Sequence, residues 1–482
     1  MGALTSKPYA FMARPWELTS TETIDILDSA CSAIRVDSKG NIIMRILPNI
    51  SSFPNDNFIS DKTRFSHDGI KLQRISVPLV KKNNEYLPIT WESAFELIKK
   101  KINKQNKLKI SAIAGRLVDI ESSISLKKLL NSFGSNNYFN SENINLNYDF
   151  KNNYIFNSNL LNNDPDFCLL IGLNLRFEVP TLNIKFRRLF YQKNLQIVLI
   201  GSKINLSYPV NQQGISISIL IQILEGKHKL SNKIAKSKNP LILVGSSYYQ
   251  RTDFTSLNNL LHWFNYKIRT YRSIFNINTV LNAASHPGLF NIGFYQNNIN
   301  AIGKSQFIYL LGTDELVMLN YIKKQKHETF IIYQGHHGDI GAGISNLILP
   351  TYTYLEKSAT FMNFEGKICH TKKVITPVST SSHEDWKVIV ALSQYLNLSN
   401  IFNFDLTKLK NEINLFKNYN FYNTENMKKY NKKALVSLSP IIAYKKVLHY
   451  PLYNFYTTDS ITRASKIMIK CMKIIKQHLN FI

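Results

Sequence analysis

The stretch that decides the fold is residues 166–172, Asp-Phe-Cys-Leu-Leu-Ile-Gly. An unbroken apolar run that ends directly at a glycine is typical of a strand that is buried on both faces and followed by a tight turn. The pattern recurs as KISAIAG (109–115), LQIVLIG (195–201), PLILVG (240–245), FIYLLG (307–312) and FIIYQG (330–335). Helical stretches separate these runs. The alternation predicts an α/β fold with doubly wound, mostly parallel sheets.

The first part of the chain has a different pattern. Residues 32–48 alternate apolar and polar side chains on either side of Ser38-Lys39-Gly40-Asn41, which predicts two strands joined by a turn. We therefore expect a small β-rich unit before the α/β region. An amphipathic helix should follow it, with Thr90 as its N-cap.

These patterns divide the chain into four predicted parts. Residues 1–75 form the β-rich unit, 76–225 a first α/β domain and 226–398 a second one. Residues 399–482 are predicted to be an irregular arm, rich in Asn, Lys, Phe and Tyr, that ends in a C-terminal amphipathic helix. In that helix, apolar residues at helical spacing predict one buried face. They are Ile461, Ala464, Met468, Cys471, Ile474 and Ile475.

The composition limits the possible partners. Lys and Arg number 59 against 32 Asp and Glu, a formal net charge of +27. The excess is spread along the chain and is accompanied by no nucleic-acid-binding motif, so we expect no nucleic-acid partner. No apolar run is long enough to cross a bilayer, which predicts no direct membrane span.

The four cysteines, Cys31, Cys168, Cys369 and Cys471, are isolated in the sequence. Their spacing contains no C-x-x-C pair, so it predicts neither a disulfide framework nor a zinc site.

Two glycine-containing loops follow predicted strands. The loop Gly335–Gly343 (GHHGDIGAG) could cradle a phosphate with backbone amides, but its spacing matches neither the P-loop nor the dinucleotide fingerprint. Adjacent His336 and His337 cannot both turn easily toward one metal ion, so a structural loop is favoured over a metal site. Gly172–Glu178 (GLNLRFE) lies where α/β folds bind ligands, which alone is a weak signal.

Four longer stretches resemble a known family. They are GALTSKPYAFMARPWEL (2–18), ISDKTRFSHDGIKLQR (59–74), YQGHHGDIGAGISNLILP (333–350) and YTTDSITRASKIM (456–468). Each is similar to the C-terminal part of the large iron–sulphur subunit of respiratory complex I. In that family a cluster-ligating cysteine shortly precedes the first stretch. The resemblance therefore implies a split subunit, whose cluster-bearing N-terminal half is a separate partner chain. An AT-rich residue bias and the lack of a transit peptide predict mitochondrial encoding.

That region of the family resembles molybdopterin oxidoreductases in turn. Their four [4Fe-4S] cysteine positions fall on Ile24, Leu27, Cys31 and Ser60, where one thiol survives. A pterin-contacting G-x-N-P appears as Gly172-Leu-Asn174-Leu, with the proline lost. The resemblance implies that the fold is kept while these positions are degenerate.

A vestigial pterin pocket would be formed by the loops at Gly172, Asn174, Gly335 and Gly338. We predict no catalytic residue, no metal site and no cofactor in this chain, with FMN and iron–sulphur clusters in partner subunits.

The resemblance implies a scaffold in the hydrophilic arm of complex I, on the matrix side of the inner mitochondrial membrane, packed against other subunits of that arm. Two alternatives remain open. One is a stand-alone molybdenum or tungsten pterin oxidoreductase, and the other is a basic nucleic-acid-binding protein.

Overall fold

The structure is a computed structural model. The residues that it describes are 6–50, 57–103, 110–142, 164–251, 277–294, 300–324, 329–398 and 454–479, together with positions 156, 161, 253, 257, 260, 261 and 448. Most of the predicted irregular arm, residues 399–447 and 449–453, lies outside them.

The described strands share a short length and are numbered here along the chain. They are β1 (Thr19–Ile24), β2 (Ala33–Lys39), β3 (Ile42–Pro48), β4 (Leu79–Lys82), β5 (Glu85–Pro88), β6 (Ile110–Ala114), β7 (Tyr138–Asn140), β8 (Phe167–Ile171), β9 (Gln196–Ile200), β10 (Asn211–Gly214), β11 (Pro240–Val244), β12 (Ile277–Thr279), β13 (Phe307–Leu311), β14 (Phe330–Gly335), β15 (Leu347–Pro350), β16 (Thr360–Met362) and β17 (Ile368–His370).

The described α-helices are numbered in the same way. They are α1 (Asp61–Phe65), α2 (Trp91–Asn103), α3 (Ile120–Ser132), α4 (Leu175–Glu178), α5 (Pro180–Lys193), α6 (Ser218–Leu224), α7 (Lys229–Lys236), α8 (Ser246–Tyr249), α9 (Ser285–Ile292), α10 (Asn300–Gly303), α11 (Leu316–Lys323), α12 (Ile340–Ile344), α13 (Asp385–Tyr395), α14 (Ser460–Ala464) and α15 (Lys466–Leu479).

Two parallel sheets dominate the fold. One has five strands in the order β10-β9-β8-β11-β12, all parallel. The other has seven strands in the order β5-β4-β15-β14-β13-β6-β7. In the larger sheet only the β4–β5 hairpin runs antiparallel to the rest. The predicted α/β fold with mostly parallel sheets is confirmed, and each of the six glycine-terminated runs forms a strand.

Side chains of β8 show why these strands are apolar without alternation. Cys168 and Leu170 pack on one face of the sheet with Leu182 and Phe186 of α5. Leu169 and Ile171 pack on the other face in a separate cluster, which also contains residues of α6 and α7. Both faces are covered, so each position of the strand is buried.

The predicted β-rich unit is confirmed as a three-stranded antiparallel sheet, β1-β2-β3, with the β2–β3 turn at Gly40 and Asn41. Its core residues, such as Ile34 and Ile46, pack against Tyr354 and Phe361 from the end of the α/β region. The unit is therefore docked on the rest of the molecule through an apolar interface.

The sheets do not divide at residue 225. The seven-stranded sheet takes strands from 79–140 and from 307–350, while the five-stranded sheet takes strands from 167–214 and from 240–279. Each predicted α/β range thus contributes to both sheets, since the chain leaves the larger sheet and later returns to it. The four predicted domain ranges remain sequence-based predictions of boundaries.

The predicted C-terminal helix is interrupted. Helices α14 and α15 are separated by Ser465, whose backbone is extended and whose hydroxyl accepts a hydrogen bond from the Met468 amide, 3.1 Å away. Met468 is buried as predicted, whereas Ile474 is 54% exposed, so the prediction is wrong at Ile474. The break at Ser465 changes which residues of α15 face the core. No helix within the described ranges has the length and apolar content to cross a membrane.

The two loops at Gly115 and Gly312 make the closest approach in the larger sheet. Gly115 follows β6, and its amide donates to the Leu311 carbonyl at 2.9 Å. A Cβ atom at Gly115 would lie 1.8 Å from the carbonyl oxygen of Gly312, far inside van der Waals contact. The carboxyl ends of β6 and β13 can come together only because residue 115 has no side chain.

This contact predicts the effect of Gly115→Ala. The added methyl group must push the Gly312 backbone away, which should lower the free energy of unfolding by about 1–3 kcal/mol. Denaturant unfolding of the purified chain, followed by circular dichroism, measures it.

The matched control is Gly343→Ala in α12, where a Cβ would meet no atom within 4 Å. It should be neutral or stabilise by up to about 1 kcal/mol, because alanine favours a helix over glycine. Equal stability of the two variants would contradict the packing argument.

Candidate functional site

The first candidate site lies at the carboxyl edge of the five-stranded sheet. A small pocket there is lined by Gly172, Leu173, Leu199, Gly201, Ser202, Ile204 and Leu448. Such an edge is where open α/β sheets place their ligands. The structure therefore puts the predicted Gly172 loop at the expected ligand-binding position.

A side chain of the protein itself packs into this pocket. Leu448 is 1% exposed, and its backbone is held on both sides: its amide donates to the Ile215 carbonyl at 3.0 Å, and its carbonyl accepts from the Ser202 hydroxyl at 3.0 Å. A Cβ on Gly172 would lie 3.4 Å from a methyl carbon of Leu448. The leucine occupies space beside the backbone that a bound ligand would otherwise approach.

Polar groups of the Gly172–Glu178 loop are used internally. The Asn174 side chain accepts from the Arg176 amide at 3.1 Å and so caps α4. The carboxylate of Glu178 accepts from the Asn174 amide and from the Ser246 hydroxyl, both at 2.9 Å. Complete burial raises the pKa of Glu178 to about 7. This loop is thus fixed by its own hydrogen bonds.

The second candidate, the Gly335–Gly343 loop, follows β14 in the other sheet. Nδ1 of His336 and Nδ1 of His337 lie 2.5 Å apart, and Nε2 of His337 hydrogen-bonds to the Gly69 carbonyl at 2.9 Å. Burial lowers the pKa of His337 to about 4, so the ring is neutral near pH 7. The two rings contact each other and the β-rich unit.

The rest of this loop also contacts the protein. The Gly338 amide donates to the Gln73 carbonyl at 2.7 Å, and Asp339 pairs with Arg463 of α14 at 2.7 Å. The predicted pterin-pocket loops therefore follow strands of two different sheets, and each is engaged by neighbouring segments.

The four positions expected for a cluster lie in and around the β-rich unit. Ile24 ends β1, Leu27 and Cys31 are buried in the following turn, and Ser60 caps α1 by accepting from the Thr63 amide at 3.0 Å. Only Cys31 offers a thiolate among them. In the part of the chain that the structure describes, no group of three or more His, Cys, Asp or Glu residues could hold a metal ion.

Hydrogen bonds link the polar groups at these positions. The hydroxyls of Ser60 and Thr63 are 2.7 Å apart, and the Thr63 hydroxyl donates to Asp25 at 2.6 Å. Buried Lys62 donates to the Leu27 carbonyl at 2.7 Å. Burial, with the neighbouring Asp28 charge, raises the pKa of Asp25 to about 7. These donor atoms do not fit a [4Fe-4S] cluster, which needs four thiolates or near equivalents.

Sequence reasoning missed a third polar cluster. Arg116, after β6, pairs with Glu142 at 2.7 Å and donates to the Asn282 carbonyl at 2.8 Å, and all three residues are buried. His286 of α9 lies 3.9 Å from the same carboxylate, and burial lowers its pKa to about 4. Asn282 follows β12 of the smaller sheet, so this cluster bridges the two sheets. Its members come from distant segments, and no local pattern in the sequence joins them.

Three family models match the chain. The first, molybdopterin oxidoreductase, covers residues 74–395. The second is the 4Fe-4S domain of the NADH-ubiquinone oxidoreductase NDSU1/NuoG-like family, at residues 18–68. The third is the C-terminal region of the NuoG-type component of NADH-ubiquinone oxidoreductase, at residues 420–471.

A solved structure confirms the fold. Acetylene hydratase from Pelobacter acetylenicus superimposes with a TM-score of 0.60 at 11% sequence identity, over 79% of this chain and 70% of that one. At this identity the similarity concerns the fold alone.

The match at residues 18–68 corrects one of our predictions. We predict no cofactor in this chain, whereas a match to a 4Fe-4S domain points to an iron–sulphur cluster within it. The cofactor prediction is therefore wrong by this criterion. Because the donor atoms at Ile24, Leu27, Cys31 and Ser60 do not fit such a cluster, no chemical step is derived through one.

Burial of Glu178 predicts a pH dependence of stability. Its folded-state pKa of about 7 lies above the usual glutamate value of 4.5, so the folded protein holds this proton more tightly than the unfolded chain. The resulting stability is present below about pH 4.5 and is lost as pH rises through 7. Glu178→Gln should remove about 3 kcal/mol of that loss, as measured by denaturant unfolding at pH 4.5 and pH 8.

Glu92→Gln changes an exposed carboxylate on α2 and serves as the control. It should keep the pH dependence of the original chain. Equal losses of stability by Glu178→Gln and Glu92→Gln between the two pH values would show that Glu178 is not the group responsible.

Full-length relatives complete the comparison. The 75 kDa subunit of NADH-ubiquinone oxidoreductase from Reclinomonas americana is 39% identical over 503 residues, which cover 99% of this chain and 71% of that protein. The mitochondrial 78 kDa subunit from Candida albicans is 38% identical over 98% of this chain and 66% of its own length. The mitochondrial 78 kDa subunit from Neurospora crassa is 35% identical over 98% of this chain and 64% of its own length. With two sheets of the molybdopterin oxidoreductase fold behind an antiparallel unit, and with relatives aligned along nearly its whole length, the chain belongs to the family of the 75 kDa subunit of NADH-ubiquinone oxidoreductase.

Proposed function

We propose that this chain is a structural part of the hydrophilic arm of mitochondrial complex I, on the matrix side of the inner membrane. Its role is to support electron transfer from NADH to ubiquinone by packing against the chains that carry out that transfer. Family membership supports the complex, and the relatives from Candida albicans and Neurospora crassa are described as mitochondrial.

The two candidate ligand loops support a structural role over a catalytic one. Leu448 packs against Gly172, and the Gly335–Gly343 loop is bonded to the β-rich unit and to α14. Residues that bind substrate in an α/β enzyme project into an open cleft at this edge. Here the corresponding groups contact the protein itself.

The observation that carries the proposal is an exposed apolar segment before β1. Phe11 is 99% exposed, Met12 62% and Trp16 81%. Large apolar side chains that lie together on a surface typically mark a protein–protein interface. This segment leads directly into the unit that matches the 4Fe-4S domain.

The exposed segment is anchored to the β-rich unit rather than detached from it. The ring of Tyr9 lies under the Arg45 guanidinium, 4.6 Å from the ring centroid, and Glu17 pairs with Lys39 at 2.8 Å. Cation–π and ion-pair contacts of this kind hold the segment in place while Phe11 and Trp16 point away from the unit. A preorganised aromatic surface costs a partner little ordering entropy.

The partner that we propose for this surface is the cluster-bearing N-terminal half of the same subunit, on a separate chain. Other subunits of the hydrophilic arm would cover the remaining faces. Each aromatic side chain can bury about 150–250 Å² at such an interface, and aromatic residues are frequent hot spots of binding energy.

Replacing the exposed aromatic residues should weaken this association. We expect Phe11→Ser and Trp16→Ser each to raise the Kd for the cluster-bearing half by about tenfold or more, because each removes an apolar anchor. Affinity capture of the purified chain with that half, quantified by surface plasmon resonance, measures the effect.

Tyr191→Ser is the matched control, since Tyr191 is an aromatic residue on α5 that is 60% exposed and distant in sequence from the segment. It should leave the Kd unchanged. Full retention of affinity by the Phe11→Ser/Trp16→Ser double variant would refute the proposed interface.

A further inference from the structure

Two cysteines that are far apart in the sequence meet in the structure. The thiols of Cys31 and Cys369 share a hydrogen bond. Both side chains belong to the apolar cluster between the β-rich unit and the β16–β17 hairpin, where Cys31 is 4% exposed and Cys369 is partly exposed. All four cysteines are free thiols in this structure.

The backbone on both sides of the thiol pair is fixed. Cys31 lies in a left-handed conformation, with φ of 49°, inside a turn closed by the Asp25 amide on the Ser32 carbonyl at 2.8 Å. Cys369 lies on β17, opposite Phe361 of β16. This hairpin is one wall of the contact, and the turn is the other.

Two hydrogen bonds join the walls on either side of the thiols. The Phe364 amide donates to the Ser29 carbonyl at 2.9 Å, and the Lys372 amide donates to the Thr23 hydroxyl at 3.0 Å. The thiols are therefore held against each other by bonds that do not involve sulphur. Short range and a fixed backbone are what a disulfide requires.

The two thiols differ in access and in acidity. Cys369 can be reached from solvent, whereas Cys31 is buried. The hydrogen bond from Cys31 lowers the pKa of the Cys369 thiol, while the same bond and burial raise the pKa of Cys31. An accessible thiol that ionises first, next to a buried one, matches an attacking and a resolving cysteine.

We propose that Cys31 and Cys369 form a reversible dithiol–disulfide site that reacts with small disulfide oxidants of the glutathione type. The Cys369 thiolate attacks one sulphur of the oxidised molecule, forms a mixed disulfide and releases one reduced thiolate. Cys31 then loses its proton and attacks the Cys369 sulphur. The Cys31–Cys369 bond forms, and the second reduced thiol leaves. Two protein thiols are oxidised as one oxidant disulfide is reduced to two thiols.

The remaining cysteines lack this arrangement. Cys168 is fully buried in β8, and Cys471 lies on α15. A third sulphur, histidine or carboxylate ligand that would make the pair a metal site is also missing from the described ranges. The geometry thus favours oxidation of the pair over metal binding. When formed, the disulfide would tie the β-rich unit covalently to the β16–β17 hairpin.

The test uses the full chain, reduced and then incubated with glutathione disulfide. Trypsin cleaves after Lys367 and Lys372, so Cys369 is released on the short peptide 368–372, and Cys31 is released on a peptide that ends at Arg35. We expect mass spectrometry to find these two peptides linked, with the link lost after dithiothreitol. Persistence of both free thiols, or a glutathione adduct on Cys369 with no linked peptide, would overturn the proposal.

Two variants identify the roles of the thiols. Cys31→Ser should accumulate the mixed disulfide on Cys369, because the resolving thiol is missing, whereas Cys369→Ser should form neither adduct nor link. Cys471→Ser is the control and should form the link as the original chain does. Since Cys369 is only partly buried, Cys369→Ser tests the proposal even if Cys31→Ser fails to fold. A linked peptide from Cys369 to Cys168 or Cys471 would contradict the pairing.

Discussion

The approach of backbones at the carboxyl ends of the strands is the constraint on which this structure depends. At Gly115 the next loop is so near that a methyl group would meet the Gly312 carbonyl at 1.8 Å, and at Gly245 it would lie 2.4 Å from the Gly172 carbonyl. Each sheet thus brings its loops together without intervening side chains. The polar residues that follow, such as Arg116 and Glu178, are consequently buried and must find partners inside the protein.

Much of this architecture can be predicted from the sequence, because buried parallel strands have a local signature. The six apolar runs ending in glycine are all strands, and the turn at Gly40 joins β2 to β3. Short strands such as β7 and β12 have three residues each and no such signature. The order of strands is also invisible locally, since β13 inserts beside β6 only after the five-stranded sheet has formed from the chain between them. Predictions of domain ranges along the sequence cannot express that return.

The candidate site was predictable in its positions and not in its contacts. Sequence similarity locates the loops at Gly172 and Gly335, but the residues that engage them, Leu448 and Gln73, come from elsewhere in the chain. The same holds for the thiol pair: Cys31 and Cys369 are isolated in sequence and adjacent in space. Residues 18–68 show the opposite tension. Their overall pattern matches a 4Fe-4S domain, while Ile24, Leu27 and Ser60 stand where thiolates are required. Pattern similarity over a domain and the donor atoms at a few positions are separate kinds of information.

The position of Leu448 has a consequence for the order in which the protein is made. Ser202, which holds the Leu448 carbonyl, precedes it by 246 residues. Domains generally begin to fold from the N-terminus while synthesis continues. The strands beside Gly172 and Gly201 therefore leave the ribosome long before the leucine that covers them, and the nascent sheet carries an open apolar recess during that interval. Closure of the recess is a late event, and a chain terminated before residue 448 would keep the recess permanently.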